Sequence, residues 1–371
     1  MGKRLVLAGG GHAHMMILAQ IRGLVRDGHA VTVIQPSDFH YYSGMGPGML
    51  GLSYSPADIR FATRFVVERQ GGTFIRDKVV RIDAASRAVI LQSGRGVEYD
   101  VLSCNTGSFI PFDNIHGDTG DIFTVKPIER LQQAQRRVIE LCASHGRPKI
   151  AVIGGGPAAL EIAGNTRRLA NLRGRNTPEI TLFAGRRLMG HLPRRIREMA
   201  LDSLEDQDIE VRETGYVEEI RDGVIRVGGE EFRPDLTFLA TGVRPSRIFE
   251  ESGLSVGSAG GLLVNERLQS VDHPEILGGG DCIHFAPQPL DKVGVHAVRQ
   301  NPVLLRNVRA SLNGTRQTKF NPGGDYLLLF NMGDDTAIFR KGPLLFRNKL
   351  AFWLKDYIDR AFMRQFQALE R

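Results

Sequence analysis

Leu5-Val6-Leu7-Ala8-Gly9-Gly10-Gly11-His12-Ala13-His14 and Ile150-Ala151-Val152-Ile153-Gly154-Gly155-Gly156-Pro157-Ala158-Ala159 repeat one plan: a short apolar strand, a glycine-rich turn and the opening of a helix. Unpaired backbone amides and the helix dipole make such a turn a seat for phosphate, and glycine lets the backbone come close to it. Gly9 and Gly154 stand 145 residues apart. That spacing predicts two dinucleotides, one per turn, rather than one shared between them. The third glycine of the G-x-G-x-x-G pattern is replaced by His14 in the first copy and Ala159 in the second. Alanine is an accepted variant there and histidine is a departure.

The chain has 371 residues, more than one hydrophobic core usually serves, so two or three domains are expected. Its 42% hydrophobic and 24% charged residues are those of an ordinary globular protein. There is no run of 18 apolar residues and no signal-peptide pattern, which argues against a spanning helix or secretion. Cys104, Cys142 and Cys282 are isolated in sequence, as suits a reducing cytoplasmic setting. The net charge of +7 is uneven, with eight Lys or Arg against three Asp or Glu between Arg340 and Arg371. A solvated face or an anionic membrane surface accounts for such an end. No nucleic-acid motif accompanies it, so no nucleic acid is expected as a partner.

The first unit reads strand, glycine turn, helix and strand, closing at Ala30 to Gln35. A carboxylate for the ribose hydroxyls is usual at that closing position. Gln35 stands there, and its amide still offers a donor and an acceptor. The loop from His40 to Gly48 carries aromatic residues, glycines, Met45 and Pro47, which predicts neither helix nor strand interior and suits close approach to a flat ring. Short strands are expected over Lys78–Asp83, Ala88–Leu91 and Tyr99–Cys104, the last ending at Thr106-Gly107. An amphipathic helix is expected over Glu129–Ser144. In the second unit the strand Ile180–Phe183 ends at Ala184, where an acid would sit, followed by Arg186 and Arg187. That pattern favours NADPH and leaves NADH open. Thr241-Gly242 then mirrors Thr106-Gly107, and Gly278-Gly279-Gly280-Asp281 places a carboxylate after three glycines.

In this order the motifs resemble the two-dinucleotide flavoproteins of the pyridine nucleotide-disulfide oxidoreductase superfamily, in the branch of type II NADH dehydrogenases and sulfide:quinone oxidoreductases. More narrowly, Gly9 to His14, Tyr42-Ser43-Gly44-Met45, Val293 to Gln300 and Trp353-Leu354-Lys355-Asp356 resemble the flavoprotein module associated with selenide, water dikinase. The resemblance implies an α/β fold of two Rossmann-like dinucleotide-binding domains with a C-terminal amphipathic helical segment. The expected divisions are residues 1–115 with 270–320 for FAD, 116–269 for NAD(P), and 321–371 for the C-terminal segment. Gly9, Gly11, His12 and Ala13 would hold FAD, with Gln35, Met45, Pro47, Thr106, Gly107, Gly280 and Asp281. Gly154, Gly156, Pro157, Arg186, Thr241 and Gly242 would hold NADPH or NADH, with Glu161 near the nicotinamide end.

A flavin carries the redox step itself, so no side-chain nucleophile is required. Disulfide reduction would need a cysteine pair, which the local sequence does not supply. Lys292 and His296 are candidate proton donors to a reduced acceptor. No metal-ligand spacing is present. The implied activity is an FAD-dependent oxidoreductase passing hydride from NAD(P)H to an acceptor, foremost a quinone. The alternatives are a selenium- or sulfur-linked flavin oxidoreductase and a low-turnover flavin-binding sensor or scaffold. Finally, Leu350, Trp353, Leu354, Tyr357, Ile358, Ala361, Phe362, Phe366 and Leu369 form one stripe of a helix, with Lys349, Lys355, Arg360, Arg364 and Gln367 opposite. Such a helix suits packing on the body, a homodimer, or peripheral contact with the inner face of the cell membrane.

Overall fold

Two five-stranded parallel sheets carry the architecture of this computed structural model, which describes residues 2–111, 113–144 and 146–371. Across the first sheet the strands run Thr73–Arg76, Ala30–Gln35, Arg4–Ala8, Val101–Cys104 and Ile276–Gly278. Across the second they run Ile122–Thr124, Leu236–Leu239, Lys149–Ile153, Glu179–Phe183 and Ile209–Arg212. Every neighbouring pair in both sheets is parallel. The strand that precedes each glycine turn is central, as in doubly wound sheets that bind nucleotides where the strand order reverses. Central parallel strands are covered on both faces, which is why Leu5 to Ala8 and Ile150 to Ile153 read as unbroken apolar runs.

The chain leaves the first sheet after Cys104, builds the second, and rejoins the first at Ile276. Each sheet has its own buried apolar cluster. Leu5, Val33, Leu102, Leu277 and Leu304 belong to one, and Leu131, Val152, Leu182 and Phe238 to the other. After the helix Gly294–Asn313 an antiparallel sheet of Leu328–Asn331, Ala337–Lys341 and Leu344–Asn348 leads into the C-terminal helix Lys349–Gln367. Asn348 caps that helix, its side-chain oxygen accepting from the Ala351 amide at 2.9 Å.

Two local expectations change. The glycine- and proline-bearing loop after His40 contains a short helix, Gly46–Leu50, because Pro47 sits in its first turn, where its missing N–H costs nothing. In the C-terminal helix, Lys355 does not join the solvent face. It lies on the buried side with Asp359, at 6% and 5% exposure, while Leu350, Trp353 and Tyr357 of the apolar stripe stand outward at 62%, 59% and 54%.

Candidate functional site

Both glycine turns open onto one cavity of about 1600 Å³ between the two sheets. That exceeds the space of about 300–1,000 Å³ that one small ligand usually fills. The turns are built alike. Gly9 has φ +93°, and a Cβ there would lie 2.3 Å from the Asn105 carbonyl oxygen. Gly154 has φ +151°, and a Cβ there would lie 2.3 Å from the Ala240 carbonyl oxygen. In each sheet, then, the first glycine of the turn is pressed against the residue that follows the adjacent strand. No other residue type meets both the dihedral and the contact.

The departures from the fingerprint have structural work. His14 is fully buried, and its Nδ1–H donates to the Gly9 carbonyl at 2.6 Å while its Nε2 accepts from the Ser103 hydroxyl at 2.7 Å. Burial pushes the ring pKa down to about 4, so it is neutral at physiological pH, and because the Gly9 carbonyl can only accept, the proton sits on Nδ1. Gln35 turns inward: its Oε1 accepts from the Gly10 amide at 3.1 Å and its Nε2 donates to the Ser37 and Phe39 carbonyls. Both residues brace the first turn from behind.

Asp281 sits at the junction of the sheets. Lys126 Nζ approaches its Oδ2 at 2.8 Å, and the Ser108 hydroxyl donates to the same oxygen at 2.8 Å. Burial disfavours the carboxylate, but the charge and hydrogen bond of Lys126, the Ser108 hydrogen bond and the Lys292 charge together outweigh it and hold the pKa below the usual value. Lys292 lines the same wall and donates to the Ile283 carbonyl, and burial lowers its pKa. Glu161 also lines the cavity and accepts from the Asn331 amide at 2.7 Å. Burial raises its pKa to about 7, against the pull of Lys355, so it can hold a proton near neutrality. Lys355 in turn donates to Asp359 at 2.7 Å and to the Gly44 carbonyl at 2.8 Å, and Tyr42 donates to Asp359 at 3.1 Å. Burial works against the Lys355 charge, but Asp359 and Glu161 together keep its pKa raised.

Most sequence-nominated residues meet in this cavity: Gly9, Gly11, His12, Gln35, Pro47, Thr106, Gly107, Gly154, Gly156, Pro157, Glu161, Arg186, Thr241, Gly242, Gly280, Asp281 and Lys292. Three do not reach its wall. Ala13 and Met45 are fully buried in the two apolar clusters. His296, on the helix Gly294–Asn313, packs edge-on against Tyr326, with ring centroids 5.5 Å apart. Lys126, Ser108 and His40 were not picked out by sequence reading. Their partners lie 155, 173 and 28 residues away, so no local spacing announces them.

FAD and a nicotinamide nucleotide fit what the walls offer. His12 Nε2 and Asn105 Nδ2, beside the first turn, are buried and have no hydrogen-bond partner among the described residues. Orphaned polar atoms of this kind call for an occupant that can bond to them. His12 shares a 3.2 Å hydrogen bond through Nδ1 with His40, and burial holds its pKa down at about 4, so Nε2 is a neutral group suited to a phosphate or ribityl oxygen. At the second turn, a Cβ on Gly156 would meet nothing within 4 Å, which leaves the N-terminus of the helix Pro157–Arg173 open to a phosphate.

Comparison with known proteins agrees with this geometry. The NADH nitrite reductase large subunit of Escherichia coli is 30% identical over 217 residues, covering 56% of this chain and 24% of that protein, so the chain spans about a quarter of its length. The type II NADH:quinone oxidoreductase of Staphylococcus saprophyticus is 23% identical over 86% of this chain and 85% of its own. The solved structure of NDH2 from Plasmodium falciparum in complex with NADH superposes with a TM-score of 0.81 at 13% identity, covering 100% of this chain and 98% of that one, a likeness of fold. The family model for pyridine nucleotide-disulphide oxidoreductases matches residues 3–301. With FAD and NAD(P)H as its cofactors, the chain belongs to the pyridine nucleotide-disulphide oxidoreductase family.

Proposed function

We propose that the protein is an FAD-dependent oxidoreductase that takes reducing equivalents from NAD(P)H and delivers them to a quinone. The observation that carries this reading is the single cavity into which both glycine turns open, with Glu161, Asp281 and Lys292 in its walls. Bound FAD supplies the two-electron chemistry between a nicotinamide ring and an acceptor. The protein's part is placement and charge. The first turn and Asp281, braced by Lys126 and Ser108, hold one nucleotide; the second turn holds the other. Glu161 lines the cavity, and its raised pKa of about 7 lets it give up or regain a proton near neutrality.

Buried cysteines favour the quinone over a sulfur- or selenium-linked acceptor. Cys104 and Cys282 have no exposure, and burial raises the pKa of both thiols, so the cavity offers no thiolate to carry sulfur. Among the described residues no helix is long and apolar enough to cross a membrane. The outward Leu350, Trp353 and Tyr357, with Lys349 beside them, would instead rest in a membrane interface, bringing the cavity close to a lipid-soluble acceptor.

The test is anaerobic. Protein reconstituted with FAD is titrated with NADPH or NADH, and a short-chain quinone is then added. Bleaching of the flavin band followed by its stoichiometric return is expected; a band that neither nucleotide bleaches would refute the reading.

A further inference from the structure

Away from the dinucleotide cavity the molecule has a second cleft, of about 400 Å³, that shares no lining residue with the first. It forms where the helix Ile21–Arg26, the end of the helix Thr63–Arg69 and the short helical turn Ala368–Glu370 meet. Arg22, Arg26, Arg69 and Arg371 stand in its walls, and no Asp or Glu side chain does. Arginines gathered in this way repel one another unless an anion lies among them. Arg22 and Arg26 are four residues apart on one helix, and neither they nor Arg371 has an ion-pair partner with an Asp or Glu among the described residues. Arg69 donates to the main-chain oxygen of Arg371, while Glu68 beside it faces Arg64 at 3.0 Å.

The walls are fixed by bonds of their own. Gln70 Nε2 donates to the Leu18 and Val66 carbonyls at 2.6 and 3.2 Å, and its Oε1 accepts from the Arg22 amide at 3.2 Å, which joins the two helices. Gln367 Nε2 donates to the Ala57 and Arg60 carbonyls at 2.9 and 2.8 Å, and Glu370 accepts from the Ala62 amide at 2.8 Å, which docks the third wall. Behind Gln20 and Gly23 lies a further guanidinium. Arg309 donates to Gln20 Oε1 at 3.0 Å, a Cβ on Gly23 would lie 3.5 Å from its Nη2, and its Nε is buried without a partner among the described residues. The cleft is thus a preorganised, positively charged hollow whose counter-charge is missing from its own walls.

Guanidinium forks match the paired oxygens of phosphate, and several around one hollow suit a molecule with more than one such group. The remaining wall is short and aliphatic, with Ala19, Ala368 and Leu369, and it offers no aromatic ring on which a base could stack. We infer that this cleft binds a compact soluble polyanion, one carrying a diphosphate or two closely spaced phosphates, and that Arg22, Arg26 and Arg371 grip it at a site separate from the dinucleotide cavity. Ala368 lies 15 residues beyond Trp353, about 22 Å along the helix at 1.5 Å per residue, so the cleft stands apart from the outward aromatics and suits a free anion better than a lipid headgroup. The bound anion would tie two helices of the first half to the end of the C-terminal helix, the element whose Lys355 and Asp359 reach Gly44 and Tyr42.

Inorganic pyrophosphate is the probe, titrated calorimetrically into the FAD-loaded protein at fixed ionic strength, with orthophosphate and sulfate for comparison. Pyrophosphate is expected to bind at least about tenfold more tightly than either, an advantage that shrinks as salt rises. Arg22→Gln combined with Arg26→Gln should weaken pyrophosphate by at least about tenfold while FAD content stays the same. Ala368→Glu, which brings a carboxylate into the wall, should do likewise, and all three positions are exposed, so the fold is not at stake. Pyrophosphate affinity that survives both variants would assign the anion to the glycine turns and overturn the inference. Equal binding of the three anions would reduce the cleft to general charge attraction and overturn it too. If pyrophosphate failed to bind but vesicles carrying phosphatidylinositol bisphosphate held the protein through Arg22 and Arg26, the occupant would be a headgroup and the soluble ligand would be refuted.

Discussion

His14 shows how a departure from a motif becomes an asset to it. Where glycine would let the helix pack against the strand, the buried imidazole bonds the Gly9 carbonyl and Ser103, tying the turn to the neighbouring strand. The bond depends on a neutral ring. The pKa falls from the ordinary 6.5 to about 4 in the folded protein, so the unfolded chain binds the proton more readily. Stability is therefore complete above about pH 6.5 and is lost as pH falls from there toward 4, by roughly 3 kcal/mol from this ring alone. Urea titrations between pH 7.5 and 4.5, compared between the protein and its Glu161→Gln variant because Glu161 with its pKa of about 7 acts in the opposite sense, should show the midpoint falling as His14 and His12, whose pKa burial also lowers, are driven to protonate. His14→Gln should flatten the upper part of that profile at the cost of a lower plateau, whereas an unaltered profile would show that the ring does not report the turn. His14 and Gln35 are visible in the sequence as exceptions, but their bracing role is not. It depends on backbone groups that only the folded turn presents.

The C-terminal helix was legible in outline but not in orientation. Its amphipathic period fixes Lys349–Gln367 as a helix, yet periodicity alone does not say which of two candidate faces is buried. The ion pair of Lys355 and Asp359 decides it. Placed four residues apart, the two side chains turn inward to Gly44 and Tyr42, and Phe362 beside them packs on His12 with ring centroids 5.9 Å apart. This rotation leaves Leu350, Trp353 and Tyr357 outside, where Trp353 and Tyr357 stack with centroids 5.8 Å apart. Because the inner face anchors the helix, the outer face can be altered without unfolding it. Trp353→Ser combined with Tyr357→Ser should abolish co-sedimentation with vesicles containing an anionic phospholipid while FAD content stays the same. Undiminished co-sedimentation of the variant would remove this face from the membrane contact and leave those aromatics to a partner protein, and an unmodified protein that does not co-sediment would remove the membrane role itself.

The glycine turns were readable because each is a local solution to a local problem, a strand, a turn and a helix within about a dozen residues. What joins the two halves was not. Asp281 follows the last strand of the first sheet, and Lys126 follows the first strand of the second, so their ion pair spans the cavity's junction between two separately packed cores. A ligand seated across that junction must stabilise both halves through mass action, by about 2.7 kcal/mol at a hundredfold excess over its Kd. The cores are separate, so the FAD-free protein has reason to unfold in more than one step, as multidomain chains do. Scanning calorimetry should show a broad or split transition without FAD and a single, higher one with it. Lys126→Met leaves Asp281 without its cation, and should keep the transition split at FAD concentrations that merge it in the unmodified protein. If FAD raised one transition and left the other where it was, the cofactor would belong to one half alone, and the Lys126–Asp281 pair would not couple the two.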